Sequence, residues 1–407
     1  MSLRILHTSD WHIGKKLKEH DRSEEFRKFF EWLKDIIKNE NIDALIVSGD
    51  VFDTHTPSAE AQEIYYSFLA EAAGNLCRHI VITAGNHDSA LFIDAPEGIM
   101  RRCNINVIGR SRKEEVIPLN DESGRPEMIV CAVPFLRDRD LRTVKENDTF
   151  SDAGREIKTG IMNHYAGIFD RAREMRGEND IPIIATGHLF LEAGSTMTDE
   201  GERSLYLGNA IKVGTDIFPE DIAYVALGHL HSPQEIGRKN IRYSGSPIHM
   251  TFGELGVKKT VSVVDFDGRN FAGVNEIEIP VWQKMARVSG DMAGIERDIH
   301  GLVGLNESVW AEVTYTGEES PGNLQERLNE ILESCPNVEI LSVIDEMKYW
   351  IQPGGIDDFK DKTLDEIEPL KMLQRMMANS GKIPEEKRPK MEELYREILQ
   401  EVKAEEK

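Results

Sequence analysis

The chain has 407 residues, with 49 Lys and Arg against 72 Asp and Glu, a formal net charge of −23. At roughly 100–200 residues per domain this length implies two to four domains, and 40% hydrophobic with 30% charged residues excludes a disordered chain. The acidic balance argues against a broad nucleic-acid-binding surface, which draws on clustered Lys and Arg, although net charge describes a long-range field and not a local site.

Leu3–His7 reads as a strand. About 22–39 reads as a helix, because Phe26, Phe29, Phe30, Leu33, Ile36 and Ile37 recur at spacings of three and four. Ala44–Val47 reads as a buried strand, Ser58–Ala73 as a helix with Pro57 suited to its start, and Ile80–Thr83 as a third strand. This alternation predicts an α/β fold with helices covering a sheet. Further strands are expected at Ile105–Ile108, Val116–Leu119, Met128–Pro134, Ile181–Ala185, Tyr224–Leu227, Ile241–Ser244 and Thr260–Asp265, with a long helix at Gly154–Arg176. The count suits an α/β sandwich of two sheets flanked by helices.

From about Pro280 a second texture begins. Strand, helix, strand, helix, strand can be read at 285–289, 291–302, 308–316, 321–334 and 337–347, a small α+β cap domain. Gln352-Pro353-Gly354-Gly355 then reads as a hinge. Beyond it, a capping box at Thr363–Glu366 opens one amphipathic helix, and a second lies near 389–403. The expected partition is 1–280, 281–350 and 351–407.

Four cysteines, Cys77, Cys103, Cys131 and Cys335, lie far apart with no C-x-x-C pair, which argues against a zinc ribbon or a disulfide framework and for a reducing compartment. No apolar run approaches the ~18 residues of a membrane span, and the first residues lack a signal-peptide layout. A cytoplasmic location without a membrane partner is expected.

Five short motifs follow five of the strands: Asp10-Trp11-His12, Gly49-Asp50, Gly85-Asn86-His87-Asp88, Gly187-His188 and Gly228-His229-Leu230-His231. In open α/β folds, sites form outside the carboxyl ends of strands. Carboxylate, amide oxygen and imidazole together suit two cations such as Mn²⁺, Fe²⁺ or Zn²⁺ better than Ca²⁺ or Mg²⁺ alone. Asp50 is the natural bridging carboxylate. Two such ions, ~3.5–4 Å apart, clamp an in-line phosphoryl displacement and bring the pKa of a bound water toward ~7. His87, one residue past a candidate ligand, is placed to protonate the leaving oxygen. Singly, each motif has an ordinary explanation as a chance match or a core histidine; their order and shared position carry the reading.

The order D-x-H, G-D, G-N-H-D, G-H and G-H-x-H resembles the calcineurin-like metallophosphoesterase pattern. The longer strings at 7–14, 48–54, 226–231 and 243–248 are similar to those of the SbcD family of nuclease subunits. The resemblance implies that Asp10, His12 and His231 hold one metal, that Asn86, His188 and His229 hold the other, that Asp50 bridges, and that His87 is the catalytic histidine. It implies two divalent cations, Mn²⁺ first, with Mg²⁺, Fe²⁺ or Zn²⁺ as alternatives. Archaeal and eukaryotic relatives carry a His after G-D-x-F where this chain has Asp53. Asp53 is a candidate for orienting His87, and Asp88 reads as a residue that orients a ligand. His55 maps to no position of the pattern. Trp11 reads as packing, His7 as a strand or supporting residue, and His20, His79, His164, His249 and His300 mostly as surface.

No G-x-x-x-x-G-K-[ST] string occurs, so no nucleotide is expected to bind this chain. The resemblance supplies an SbcC-like coiled-coil ATPase as partner, docked on the C-terminal helices, DNA as substrate, and a homodimer through residues near 58–73 and 90–103, with Leu91-Phe92-Ile93 a candidate contact. Lys15, Lys16, Lys18, Arg101, Arg102, Arg110, Arg112 and Lys113 could form a local basic track. The expected activity is metal-dependent DNA cleavage in repair, recombination and replication. The competing readings are a phosphodiesterase or phosphatase acting on a small nucleotide or phosphoprotein, and a non-catalytic scaffold.

Overall fold

The computed structural model describes residues 3–111, 113–141, 150–192, 212–304, 307–317 and 323–345, together with residue 395. The chain divides into two compact units, Met1–Met285 and Ala286–Lys407.

The first unit is built on two six-stranded sheets. In the first sheet β1 (Leu3–Thr8), β2 (Ala44–Ser48), β3 (His79–Thr83) and β4 (Ile105–Ile108) run parallel, while β13 (Thr260–Asp267) pairs antiparallel with β1 and β14 (Asn270–Glu278) completes the edge. In the second sheet β6 (Pro126–Cys131), β7 (Ile183–His188), β10 (Tyr224–Gly228) and β12 (Arg238–Tyr243) run parallel between the antiparallel edges β5 (Val116–Asn120) and β11 (Gln234–Ile236). A short ribbon joins β8 (Leu191–Glu192) and β9 (Val213–Gly214).

Successive strand residues point to opposite faces, and here both faces are covered. Ile5, Ala44, Ile46 and Val81 face Met128, Val130, Ile184, Tyr224 and Ala226 in the layer between the sheets. Their neighbours Leu6, Leu45, Val47, Ile80 and Ile82 face the outer helices. Double burial explains why the central strands are continuously apolar instead of alternating. On the outer side of the first sheet lie α1 (Ser23–Asn39) and α2 (Ala59–Ala72). The buried stripe of α1 is Phe26, Phe29, Phe30, Leu33 and Ile37, and Glu24 and Glu25 in its first turn with Lys38 in its last suit the helix dipole. Ser58 caps α2 by accepting the Ala61 amide at 3.1 Å. After β3 come the short α3 (Ala90–Asp94) and α4 (Glu97–Met100). On the second sheet α5 (Asp138–Leu141) precedes the long α6 (Phe150–Arg176), which buries Ile157, Ile161, Tyr165, Ile168 and Phe169.

The second unit contains a three-stranded sheet of β15 (Lys284–Gly290), β16 (Val309–Tyr315) and β17 (Val338–Asp345), with α7 (Met292–Val303) and α8 (Leu324–Glu333). Val288, Ile295, Ile299, Val309, Val313 and Leu328 form its core. The helices expected near 363–377 and 389–403 lie outside the described residues, apart from Tyr395.

Trp11 is packing, as read from the sequence: it is buried against Phe29, Phe30 and Phe68, and its Nε1 donates to Thr8 Oγ1 at 3.0 Å. His79 departs from the surface expectation. It opens β3, is buried, and hydrogen-bonds the Asn120 carbonyl at 2.8 Å. All four cysteines are free. No helix among the described residues is long and apolar enough to cross a membrane.

Candidate metal centre

Parallel pairing brings the carboxyl ends of β1, β2 and β3 to one edge, and those of β7 and β10 to the facing edge of the other sheet. The chain beyond each strand is tied in place by backbone bonds: the Asp10 amide donates to the Gly49 carbonyl at 3.0 Å and the His12 amide to the Asp50 carbonyl at 2.9 Å. The two sheets are joined here as well. Ser48 Oγ donates to the Ala226 carbonyl at 2.9 Å, and His188 Nδ1 bonds the Ser48 carbonyl at 3.0 Å. Gly228 is required by this approach, because a Cβ there would collide with the Ser48 carbonyl oxygen.

Asp10, His12, Asp50 and His229 have φ of 51°, 48°, 50° and 98°, in the left-handed region. All four lie in the turns that follow β1, β2 and β10, and their side chains belong to the candidate ligand groups.

Two triads result. Ligand atoms of Asp10, His12 and His231 lie within 4.8 Å of one another, as do those of Asp50, His188 and His229. His12 Nε2 faces His231 Nε2 at 3.2 Å. Asn86 Oδ1 completes the second group, 2.9 Å from His188 Nε2 and 3.1 Å from His229 Nδ1. Asp50 lies between them. Its Oδ2 is 3.2 Å from His188 Nε2 and 3.6 Å from His12 Nε2, and that oxygen is buried with no hydrogen-bond donor. All seven sequence-derived ligand candidates thus converge, and an orphaned buried carboxylate oxygen among imidazoles fits divalent cations of the borderline class.

The charges respond to this crowding. Burial pushes the Asp10 carboxyl up. Burial acts the same way on Asp50, but the imidazoles of His188, His12 and His87 hold it well below the usual carboxylate range. Burial opposes protonation of His188, yet the Asp50 carboxylate lifts it to about 9. A cation entering the site competes with that proton.

Around this centre, the Asp88 carboxylate accepts the amides of Val51 (3.1 Å), Phe52 (2.9 Å) and Gly85 (2.8 Å), locking the β2 and β3 turns together. Burial and the Asp50 charge raise it to about 6. Asp53 contacts His87 through its backbone: His87 Nδ1 bonds the Asp53 carbonyl at 3.0 Å. Its carboxylate instead faces His12 Nδ1 at 3.5 Å and Lys15 Nζ at 3.0 Å. His55 is exposed.

Four contributors were missed in the sequence. Ser9 Oγ bonds Asp10 Oδ2, and Arg137 Nη2 donates to the Asp88 carbonyl at 3.0 Å. Glu254 and Lys259 form a buried pair behind His231. Ser9 adjoins a motif and was open to notice. Glu254 comes from a one-turn segment, Phe252–Glu254, that has no motif around it.

The family model described as calcineurin-like phosphoesterase matches residues 3–233, which contain both triads. The chain belongs to the calcineurin-like phosphoesterase family. A second model, described as the type 5 capsule protein repressor C-terminal domain, matches residues 281–380 of this phosphoesterase. It is 34% identical over 345 residues to the SbcD subunit of nuclease SbcCD from Escherichia coli (strain K12), covering 84% of each chain. To the SbcD subunits from Rhodobacter capsulatus and Bacillus subtilis it is 37% identical over 275 and 268 residues, 65% of this phosphoesterase and 67% and 66% of theirs. These likenesses put the phosphoesterase in the SbcD group.

Proposed function

We propose that this chain is a metal-dependent nuclease subunit that hydrolyses DNA phosphodiesters, as an exonuclease on duplex ends and an endonuclease on single strands and hairpins, in DNA repair, recombination and replication. The observation that carries the reading is the convergence of two donor triads on one carboxylate, Asp50. The match to an SbcD subunit of nuclease SbcCD over 84% of both chains supplies the substrate class.

Asp10, His12 and His231 would hold one ion and Asn86, His188 and His229 the other, with Asp50 shared. The resemblance to the SbcD family makes Mn²⁺ the ion proposed, ahead of Mg²⁺, Fe²⁺ and Zn²⁺. Bound there, the pair supplies hydroxide near neutral pH and positive charge at the scissile phosphate. The chain's own residues do the rest. The Asp53 carbonyl holds the Nδ1 proton of His87, so a second proton on Nε2 gives the imidazolium that protonates the departing oxygen. Asp88 keeps the turn carrying Asn86 and His87 rigid.

The nuclease region is assigned to 1–280, a DNA-contacting cap to 281–350, and the dock for an SbcC-like ATPase to 351–407. A homodimer through 58–73 and 90–103 is supported by Leu91 and Ile99, which are 69% and 76% exposed. The cytoplasm is the compartment proposed.

Cleavage of hairpin DNA with Mn²⁺, with and without the ATPase partner, tests the reading. No cleavage in either condition overturns it. Turnover of cyclic nucleotides without DNA cleavage would instead indicate a small-nucleotide phosphodiesterase.

A further inference from the structure

His231 is held from behind by two buried charged residues. Its Nδ1 lies 3.2 Å from Glu254 Oε1. The other oxygen, Glu254 Oε2, accepts Lys259 Nζ at 2.5 Å, the Met250 amide at 3.0 Å and Ser246 Oγ at 3.5 Å. Lys259 Nζ also donates to the His231 carbonyl at 2.9 Å and to Ser246 Oγ at 2.8 Å. Glu254 is 2% exposed, Lys259 3% and Ser246 0%. Lys259 immediately precedes β13, in the first sheet, whereas His231 follows β10 in the second.

We infer that Glu254 is a positioning residue that fixes the tautomer and direction of His231, and that Lys259 is the counter-ion that keeps Glu254 ionised while pinning the His231 backbone. The inference rests on the two-cation reading above. An ionised carboxylate only accepts hydrogen bonds. His231 must therefore carry its proton on Nδ1, which leaves the Nε2 lone pair directed at His12 Nε2 and the Asp10 triad. A carboxylate behind a ligating imidazole also raises its basicity, and losing such a partner typically weakens metal binding about 10–100-fold.

His231 and His188 differ in this respect. Behind His188 stands a neutral backbone carbonyl, that of Ser48. Behind His231 stands a carboxylate, and a second carboxylate, Asp53, faces His12. Glu254 therefore acts on the Asp10–His12–His231 position. A pair present only for stability would be an uneconomical choice, since buried ion pairs are commonly matched or bettered by apolar residues of similar volume.

The test is Mn²⁺ titration of the full chain by calorimetry, with Mn²⁺ electron paramagnetic resonance of the bound ions. Glu254→Gln should weaken one of the two ions about 10–100-fold and leave the other near its parental affinity. The double variant Glu254→Gln with Lys259→Met removes both charges, so no unpaired lysine is left buried. It should still melt cooperatively in the presence of chelator and show at least the affinity loss of Glu254→Gln. Glu254→Asp should recover part of the affinity. Parental affinity for both ions in the folded double variant overturns the inference. His231→Ala is the companion measurement: if it too binds two ions as the parent does, the two-cation reading falls, and the inference with it.

Discussion

The backbone amide of His87 donates to Asp50 Oδ1 at 2.8 Å, so the candidate proton donor and the candidate bridging carboxylate are held by one bond. Because that bond uses the main chain, His87→Gln preserves it. The variant should bind Mn²⁺ and fold as the parent does, while DNA cleavage drops about 10²–10⁴-fold, the usual contribution of a positioned acid. Cleavage kinetics alongside metal titration check this, and a parental rate would remove His87 from the acid role.

Asp50 offers a different signature. With Oδ1 committed to His87 and Oδ2 facing both imidazole groups, Asp50→Ala should lower the bound Mn²⁺ from two ions per chain and abolish cleavage. Metal analysis after gel filtration reads the stoichiometry. Two ions retained would show that Asp50 does not bridge.

Metal should also stabilise the fold. Ligands that bind only the native state contribute RT ln(1 + [L]/Kd), about 2.7 kcal/mol at a hundredfold excess over Kd. At roughly 1.7 °C per kcal/mol for the unit Met1–Met285, from about 2.1 cal/mol/K of unfolding entropy per residue, Mn²⁺ should raise the melting temperature by about 4–5 °C over the chelator-treated protein. Thermal scans at fixed pH measure it, and coincident curves would argue against a native-state site.

Much of this was legible in the sequence because the central strands are buried on both faces. Apolar runs such as Ala44–Ser48 and the motif after each strand stand out without any knowledge of pairing. What escaped lies at edges and in supporting contacts. β14 is an outer strand with mostly half-exposed or exposed residues, and β11 has three residues, so neither carries a clear apolar period. Glu254 and Lys259 become informative only once the segment before β13 is seen to lie against the loop bearing His231. His79 looked like a strand-start surface residue, yet the β5–β6 hairpin covers it.

His7 should make the fold acid-sensitive. Complete burial pushes its imidazole down to about 3 from 6.5, with Arg242 adding to the effect, and its Nδ1 lies 3.0 Å from Tyr224 Oη. The unfolded chain takes up a proton below about pH 6.5 that the native chain refuses, so stability is lost as pH falls from there toward 3. The loss is roughly 1.4 kcal/mol per pH unit, or about 2 kcal/mol at pH 5. In His7→Gln this part of the pH dependence should vanish, whatever the variant's stability at neutral pH. Urea unfolding of both proteins at about pH 7 and pH 5 compares the slopes, and equal slopes would refute the assignment.

The left-handed backbone at Asp10, His12, Asp50 and His229 carries a longer consequence. Each such residue costs on the order of 1 kcal/mol or more against glycine, which adopts this conformation freely. A lineage that no longer needed catalysis could relax these turns toward glycine or asparagine and gain thermal margin. Descendants that keep the four side chains under selection for heat resistance must find their stability elsewhere, in the layer between the sheets or in the helices that cover them.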